Sequence, residues 1–586
     1  MNRAPTTHSV YTYRTPIGSQ ALSVDHLHTQ DRRREINALI NGFSTANNSR
    51  SQRLVAETQQ LALTQSRIDF AKFQQPMPLP PVKEPTSIGL GNSPWNVGDC
   101  FHGVAPEYFH QEIADQTGSK YLSRYPIQFY DLQIQTVLSE FVPGVKTPCV
   151  GYDGLVPGPT FKSRGGGPMV VRTNNSTPFS CSMHLHGAHN PSHSDGHPQY
   201  YVIPDQERDY YYPNMIPRQN GRVDSSEAPS TMCYYDLGME ANEEGRSLGM
   251  MGFHLQTDEL ERTLINRAIL PSEEFDIPIL IDDKRFNSDG TLFLGNQVEG
   301  DSLGDIYCLN GKAHPHFRVK RRKYRLRFLN ASRFRYLELR LSDQRPFLAI
   351  GNDSWLYPRA IERDTLLLPP TKRADVILDF SQVKADELYL ENVLVQEDEH
   401  GPSGTQDRPS DALRSPQLMQ FILEGAPAEK DCSVQSGTEL RMQSPLDETD
   451  VEVTRIFNIE GGQDCSYTTE PRDLNSCICP RIGSMERWVL RNHSHRTWHS
   501  IHPHLGSHRI ETINGETPPA WLSFKNDVSL LHPQSEMEIL IPFKTFKGPF
   551  TCHSHCSGTG ENNLLIHFDC RSDGSNACNS LSAHYP

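Results

Sequence analysis

The stretch RVKRRKYRLRFLNAS, residues 318–332, alternates Tyr324, Leu326 and Phe328 with Arg325 and Arg327. This is the period-two pattern of an extended strand, whose successive side chains point to opposite faces. The same texture recurs from about residue 126 onward in YPIQFYDLQIQTVL, GPMVVRTNN, YLELRLS, RADVILDFS, SMERWVLRNHS and EMEILIPF. Gly, Pro, Asn and Asp turns part these segments. Short strands at that spacing predict β-sandwiches.

Upstream the pattern changes. Residues 31–72 are rich in helix formers with leucine, isoleucine and valine at intermittent helical spacing, which predicts one or two amphipathic helices. The proline-rich PMPLPPVKEP at 76–85 breaks that pattern and reads as an extended strap. Two polar, turn-rich segments, 396–416 and 423–450, read as loops or interdomain connections.

With 586 residues the chain exceeds what one hydrophobic core supports, so several domains are expected. Its 56 Lys and Arg against 71 Asp and Glu give a net charge of -15, which argues against nucleic acid or an anionic membrane as partner. Small molecules fit better. The first 30 residues lack the apolar core of a signal peptide, and no later run is long enough to span a bilayer, so a cytoplasmic protein is expected. The 13 cysteines are an odd number scattered without the spacing of a disulfide scaffold or a zinc ribbon, so at least one thiol is unpaired.

Three His-x-His pairs stand in strand-like surroundings: His184 and His186, His502 and His504, His553 and His555. In a strand each pair turns two imidazoles to one face. Such clusters suit copper, zinc, iron or nickel, and the residues alone leave the metal open.

The chain from about residue 70 onward resembles the three-cupredoxin multicopper oxidases, in the branch of the spore-coat laccase, bilirubin oxidase and phenoxazinone synthase. The resemblance lies in PLPPVKEP, YDGLVPGPTF, CSMHLHGAHNPSHSDGHP, LIDDKRFNSDGTLF, CLNGKAHPHFRVKRRKYRLRFLNAS, LLPPTKRADVILDFS, WHSIHPHLGSHRIE and FTCHSHC, in the family's order. It implies an all-β fold of three cupredoxin-like Greek-key β-sandwiches, at 71–270, 271–425 and 426–586, after a partly helical extension over 1–70. The first and third must meet for the histidines to converge.

The resemblance also assigns roles. His184 matches a type 2 copper ligand, His186 a type 3 ligand, and Asp195 an acidic residue kept near the type 2 site. His499 falls on a type 1 position, His502 on type 2, His504 on type 3, and His553 and His555 on type 3. Departures are equally specific. Tyr235 and Leu237 stand where the second motif carries two imidazoles, and Ser554, Thr559 and Leu564 replace the type 1 cysteine, histidine and methionine. A blue centre needs a soft thiolate, and serine's hydroxyl is a hard donor that stays protonated. The type 1 site is therefore dismantled.

Six imidazoles remain, paired as His184 with His502, His186 with His555, and His504 with His553. Tyr235 either binds copper as phenolate or fills the volume of the lost histidine. His189, His193 and His197 read as solvated or supporting groups of a loop, and His254 as a packing residue. The expected cofactor is one or two copper ions. The expected function is an atypical copper-dependent oxidoreductase that brings O2 and a small organic substrate, phenols included, to a reduced-nuclearity site, with Asp195 and Tyr235 as catalytic candidates. The alternative is an inactive relative serving as a copper-binding protein or as partner of an active oxidase. A protein partner or homo-oligomer stays open.

Overall fold

The computed structural model describes residues 68–88, 125–197, 201–219, 222–237, 242–294, 302–405, 416–459, 465–470, 478–555 and 565–571. The helices expected over 31–72 fall almost wholly outside the described residues, as do Thr559 and Leu564.

The alternating segments become strands of paired sheets. The first sandwich joins a five-stranded sheet, containing Gln128–Ser139, Met169–Asn175 and Gln206–Tyr212, to a four-stranded sheet ordered Phe161–Arg164, Met251–Thr257, Thr231–Asp236, Met183–His186. The second pairs a seven-stranded with a five-stranded sheet, and Lys323–Asn330 is an inner strand of the larger one. The third joins a five-stranded sheet to one ordered Ser529–Leu531, His499–Pro503, Gly548–Ser554, Leu565–Cys570. Among the described residues no helix is long and apolar enough to cross a membrane.

Each sandwich closes on an apolar layer, and those of the first and third also take in residues of a neighbouring sandwich. Tyr130, Leu132, Val171 and Tyr234 meet in the first, Leu326, Phe328, Leu339 and Val376 in the second, and Trp488, Ile501, Ile539 and Phe550 in the third. Burial of a side chain of that size contributes about 1.5–3 kcal/mol, so each layer offsets the entropy of ordering its own strands. Cys552 lies in the third core, on the strand face opposite His553. Among the described residues Cys149, Cys233, Cys308 and Cys432 are free and buried.

The strap at 76–85 does run extended. Pro76 bridges to His316 of the second sandwich and Val82 to Thr160 of the first, so one proline-stiffened segment is laced across both.

Candidate metal centre

Strand register builds the site. On neighbouring antiparallel strands Tyr235 lies directly opposite His184, and Cys233 opposite His186, so Tyr235 shares a face with both imidazoles. In the third sandwich His502 lies opposite His553, and Ile501 opposite Ser554. His504 and His555 follow the ends of those strands.

The two sandwiches meet at this point, which brings all six imidazoles together. The His184 ring centre is 4.2 Å from that of His504 and 5.6 Å from that of His502, and the His186 and His502 rings stack at 3.7 Å. His553 places Nε2 3.1 Å from Nε2 of His504. His555 stacks on His502 at 5.5 Å and lies 5.4 Å from His186. All six are buried.

Hydrogen bonds on the outer nitrogens fix which nitrogens face inward. Nδ1 of His184 donates to the Asp195 carbonyl at 2.5 Å, and Nδ1 of His502 to the Asp527 carbonyl at 2.7 Å. In both rings Nε2 is buried without a protein partner and therefore presents a lone pair. Ligand atoms of His184, His502 and His504 lie within 4.8 Å of one another. Nδ1 of His504 is 2.5 Å from Oδ2 of Asp195, so one residue orients imidazoles from both sandwiches, as carboxylate and carbonyl partners do around protein metal sites.

Burial sets the protonation states. It lowers His184 to about 4 and His553 to about 3, and holds His186, His502, His504 and His555 well below the ordinary imidazole range. All six rings are thus neutral near pH 7, the form that ligates a metal. Burial raises the Asp195 carboxyl and also holds Tyr235 as a neutral phenol. Inward lone pairs on neutral rings, anchored from behind, fit a borderline-soft metal such as copper.

His186 differs from its neighbours. Its Nε2 meets Oδ1 of Asp527 at 2.8 Å and its Nδ1 meets the Tyr235 hydroxyl at 3.0 Å. Burial alone would raise the Asp527 carboxyl, but Arg373 reverses this and brings it below its usual range. Arg373 grips both carboxylate oxygens, at 2.7 and 2.5 Å, and also donates to the Thr231 carbonyl. A second-sandwich cation thus fixes a third-sandwich carboxylate against a first-sandwich imidazole. Gly187 permits this approach. Its φ is +90°, and a Cβ there would come 1.9 Å from Ser354 Oγ and 2.7 Å from Arg373 Nη2.

Sequence reasoning missed Asp527 and Arg373. Arg373 opens the alternating segment RADVILDFS, whose pattern names no partner, Asp527 carries no periodic or motif signal, and the His186–Asp527 contact spans 341 residues. The reading of His189, His193 and His197 as solvated is corrected, because all three are buried. His189 sits 3.2 Å from Thr545 and 3.7 Å from Glu227, and Glu227 in turn pairs with Lys525 and Lys544; docking of the third sandwich covers the loop. His254 is a packing residue, with Nε2 2.7 Å from Ser163 Oγ. Leu237 offers no donor and packs with Met251, Phe253 and Leu280.

A centre of buried imidazoles between the outer two of three β-sandwiches is a candidate metal site on a fold of the cupredoxin class. A family model described as multicopper oxidase matches residues 133–221. The chain is 27% identical over 501 residues to the bilirubin oxidase of Albifimbria verrucaria, covering 83% of this chain and 79% of that one. It is 27% identical over 473 residues to the laccase of Bacillus subtilis (strain 168), covering 69% and 86%. The multi-copper oxidase of Pediococcus acidilactici superposes with a TM-score of 0.66 at 20% identity, over 88% of this chain and 96% of that one, which carries the fold. Over these lengths the chain is similar to multicopper oxidases.

Proposed function

We propose that the protein is a copper-dependent oxidoreductase that uses O2 and a small organic substrate at the imidazole centre between its first and third sandwiches, without a type 1 copper. The observation that carries this reading is the pair of buried, unpartnered Nε2 atoms of His184 and His502, each ring anchored through Nδ1 by a backbone carbonyl. Copper held there supplies one-electron redox chemistry. Asp195 orients His184 and His504, and its burial favours the protonated carboxyl, suited to holding a proton beside the centre.

Relatives named bilirubin oxidase and laccase support an organic substrate. With serine at 554 no thiolate stands beside His499, so in this reading the substrate delivers its electrons at the imidazole centre itself. The competing reading, an inactive copper-binding relative, is favoured by Leu237, which gives one former ligand position no donor. Copper analysis with paramagnetic resonance, together with oxygen uptake on a panel of phenols, tests the proposal. One or two coppers with phenol-dependent oxygen uptake are expected, and bound copper with no uptake on any substrate supports the competing reading.

A further inference from the structure

We infer that Tyr235 is a copper ligand, completing with His186 and His555 a second metal position in which a phenolate oxygen replaces an imidazole. The inference rests on the reading above that copper occupies this centre.

The argument begins at Asp527. Arg373 holds this carboxylate through both oxygens, so it accepts from His186 and the proton of that ring resides on Nε2. Nδ1 is left with a lone pair, aimed at Tyr235 Oη 3.0 Å away. Two donor atoms each about 2.0 Å from one metal stand about 3 Å apart when the angle between them is near 90–100°, so this spacing is that of adjacent ligands.

His555 supplies the third donor. Its Nε2 is buried without a protein partner, and its ring lies 5.4 Å from that of His186 and 5.9 Å from that of Tyr235. Three side chains from three strands or strand ends thus lie side by side in the buried centre. The Arg246 guanidinium lies 5.7 Å from the Tyr235 ring centre and donates to the His555 carbonyl. That charge favours an anionic oxygen on the ring beneath it. A phenylalanine would fill the same volume without placing an oxygen at Nδ1 of His186. On copper(II) binding a copper–oxygen bond forms, the phenol O–H bond breaks, and the proton passes to buffer base; no electron changes hands.

The test is spectroscopic. Chelator-treated full-length protein is titrated with copper(II), and metal content, paramagnetic resonance and visible absorption are followed. The wild type is expected to show a phenolate-to-copper(II) charge-transfer band as its second equivalent binds. Tyr235→Phe should lose the band and that equivalent while keeping the resonance signal of the first copper. Tyr235→His should keep both equivalents without the band, which guards against a variant that fails to fold. Two bound coppers with no band in the wild type, or the same band in Tyr235→Phe, overturns the inference and leaves the copper-centre reading intact. A wild type that binds no copper overturns both.

Discussion

The Ser554 hydroxyl oxygen lies 3.3 Å from Nδ1 of His499. A blue copper protein places a thiolate at this position in the chain, and here a neutral oxygen holds the remaining imidazole by a hydrogen bond. The purified protein should therefore lack intense thiolate-to-copper absorption in its visible spectrum. Ser554→Cys alone should not restore it, because Thr559 still stands where a second imidazole is required. A blue wild type contradicts the assignment.

His502 and His499 make opposite predictions. Nε2 of His502 is one of the inward lone pairs of the centre, so His502→Ala should abolish copper binding at the His184 position and any oxidase activity. His499 is paired with a serine, and His499→Ala should leave both within about twofold of wild type, because loss of one weak neutral hydrogen bond is a small change. Metal analysis and oxygen uptake on the two variants check this. Dependence on His499 alone would reverse the site.

Asp527 is the counter-charge of a guanidinium with no exposed surface. Asp527→Ala leaves buried Arg373 with only the more distant Asp353 carboxylate, 3.7 Å away, a change that costs up to about 3–5 kcal/mol. Urea unfolding should show that loss. Asp527→Asn keeps one acceptor for Arg373 and should cost less, while freeing the His186 ring to take the other tautomer.

The acid limit is set by imidazoles outside the centre as well. Burial lowers His254 and His314 to about 3 and His508 to about 4, whereas an unfolded histidine titrates near about 6.5. Below that value the unfolded chain takes up protons that the folded chain refuses. The contribution of these groups to stability should be flat above about pH 6.5 and fall toward about pH 4, by about 1.4 kcal/mol per pH unit for each. Urea midpoints across this range measure the slope, and His254→Gln should reduce it.

Strand alternation was legible because it is local: Tyr324, Leu326 and Phe328 declare a buried face within one short segment. The His-x-His pairs were legible for the same reason, since two ligands one residue apart need only an extended backbone to converge. Asp527, Arg373 and the burial of His189 and His197 were not. Each depends on a neighbour from another sandwich, and the Arg373–Asp527 contact alone spans 154 residues. Domain docking has no period to read.

Asp195 grips His184 by its carbonyl and His504 by its carboxyl group, the latter across 309 residues of chain. The two outer sandwiches are consequently not independent modules where the centre is concerned. A chimera that joined the first sandwich of this chain to the third of a relative would inherit imidazoles on both sides, yet it would assemble the centre only if the newcomer offered a nitrogen at the place His504 holds. The two outer sandwiches thus work as one exchangeable unit, and the middle one belongs to it through the arginine it lends.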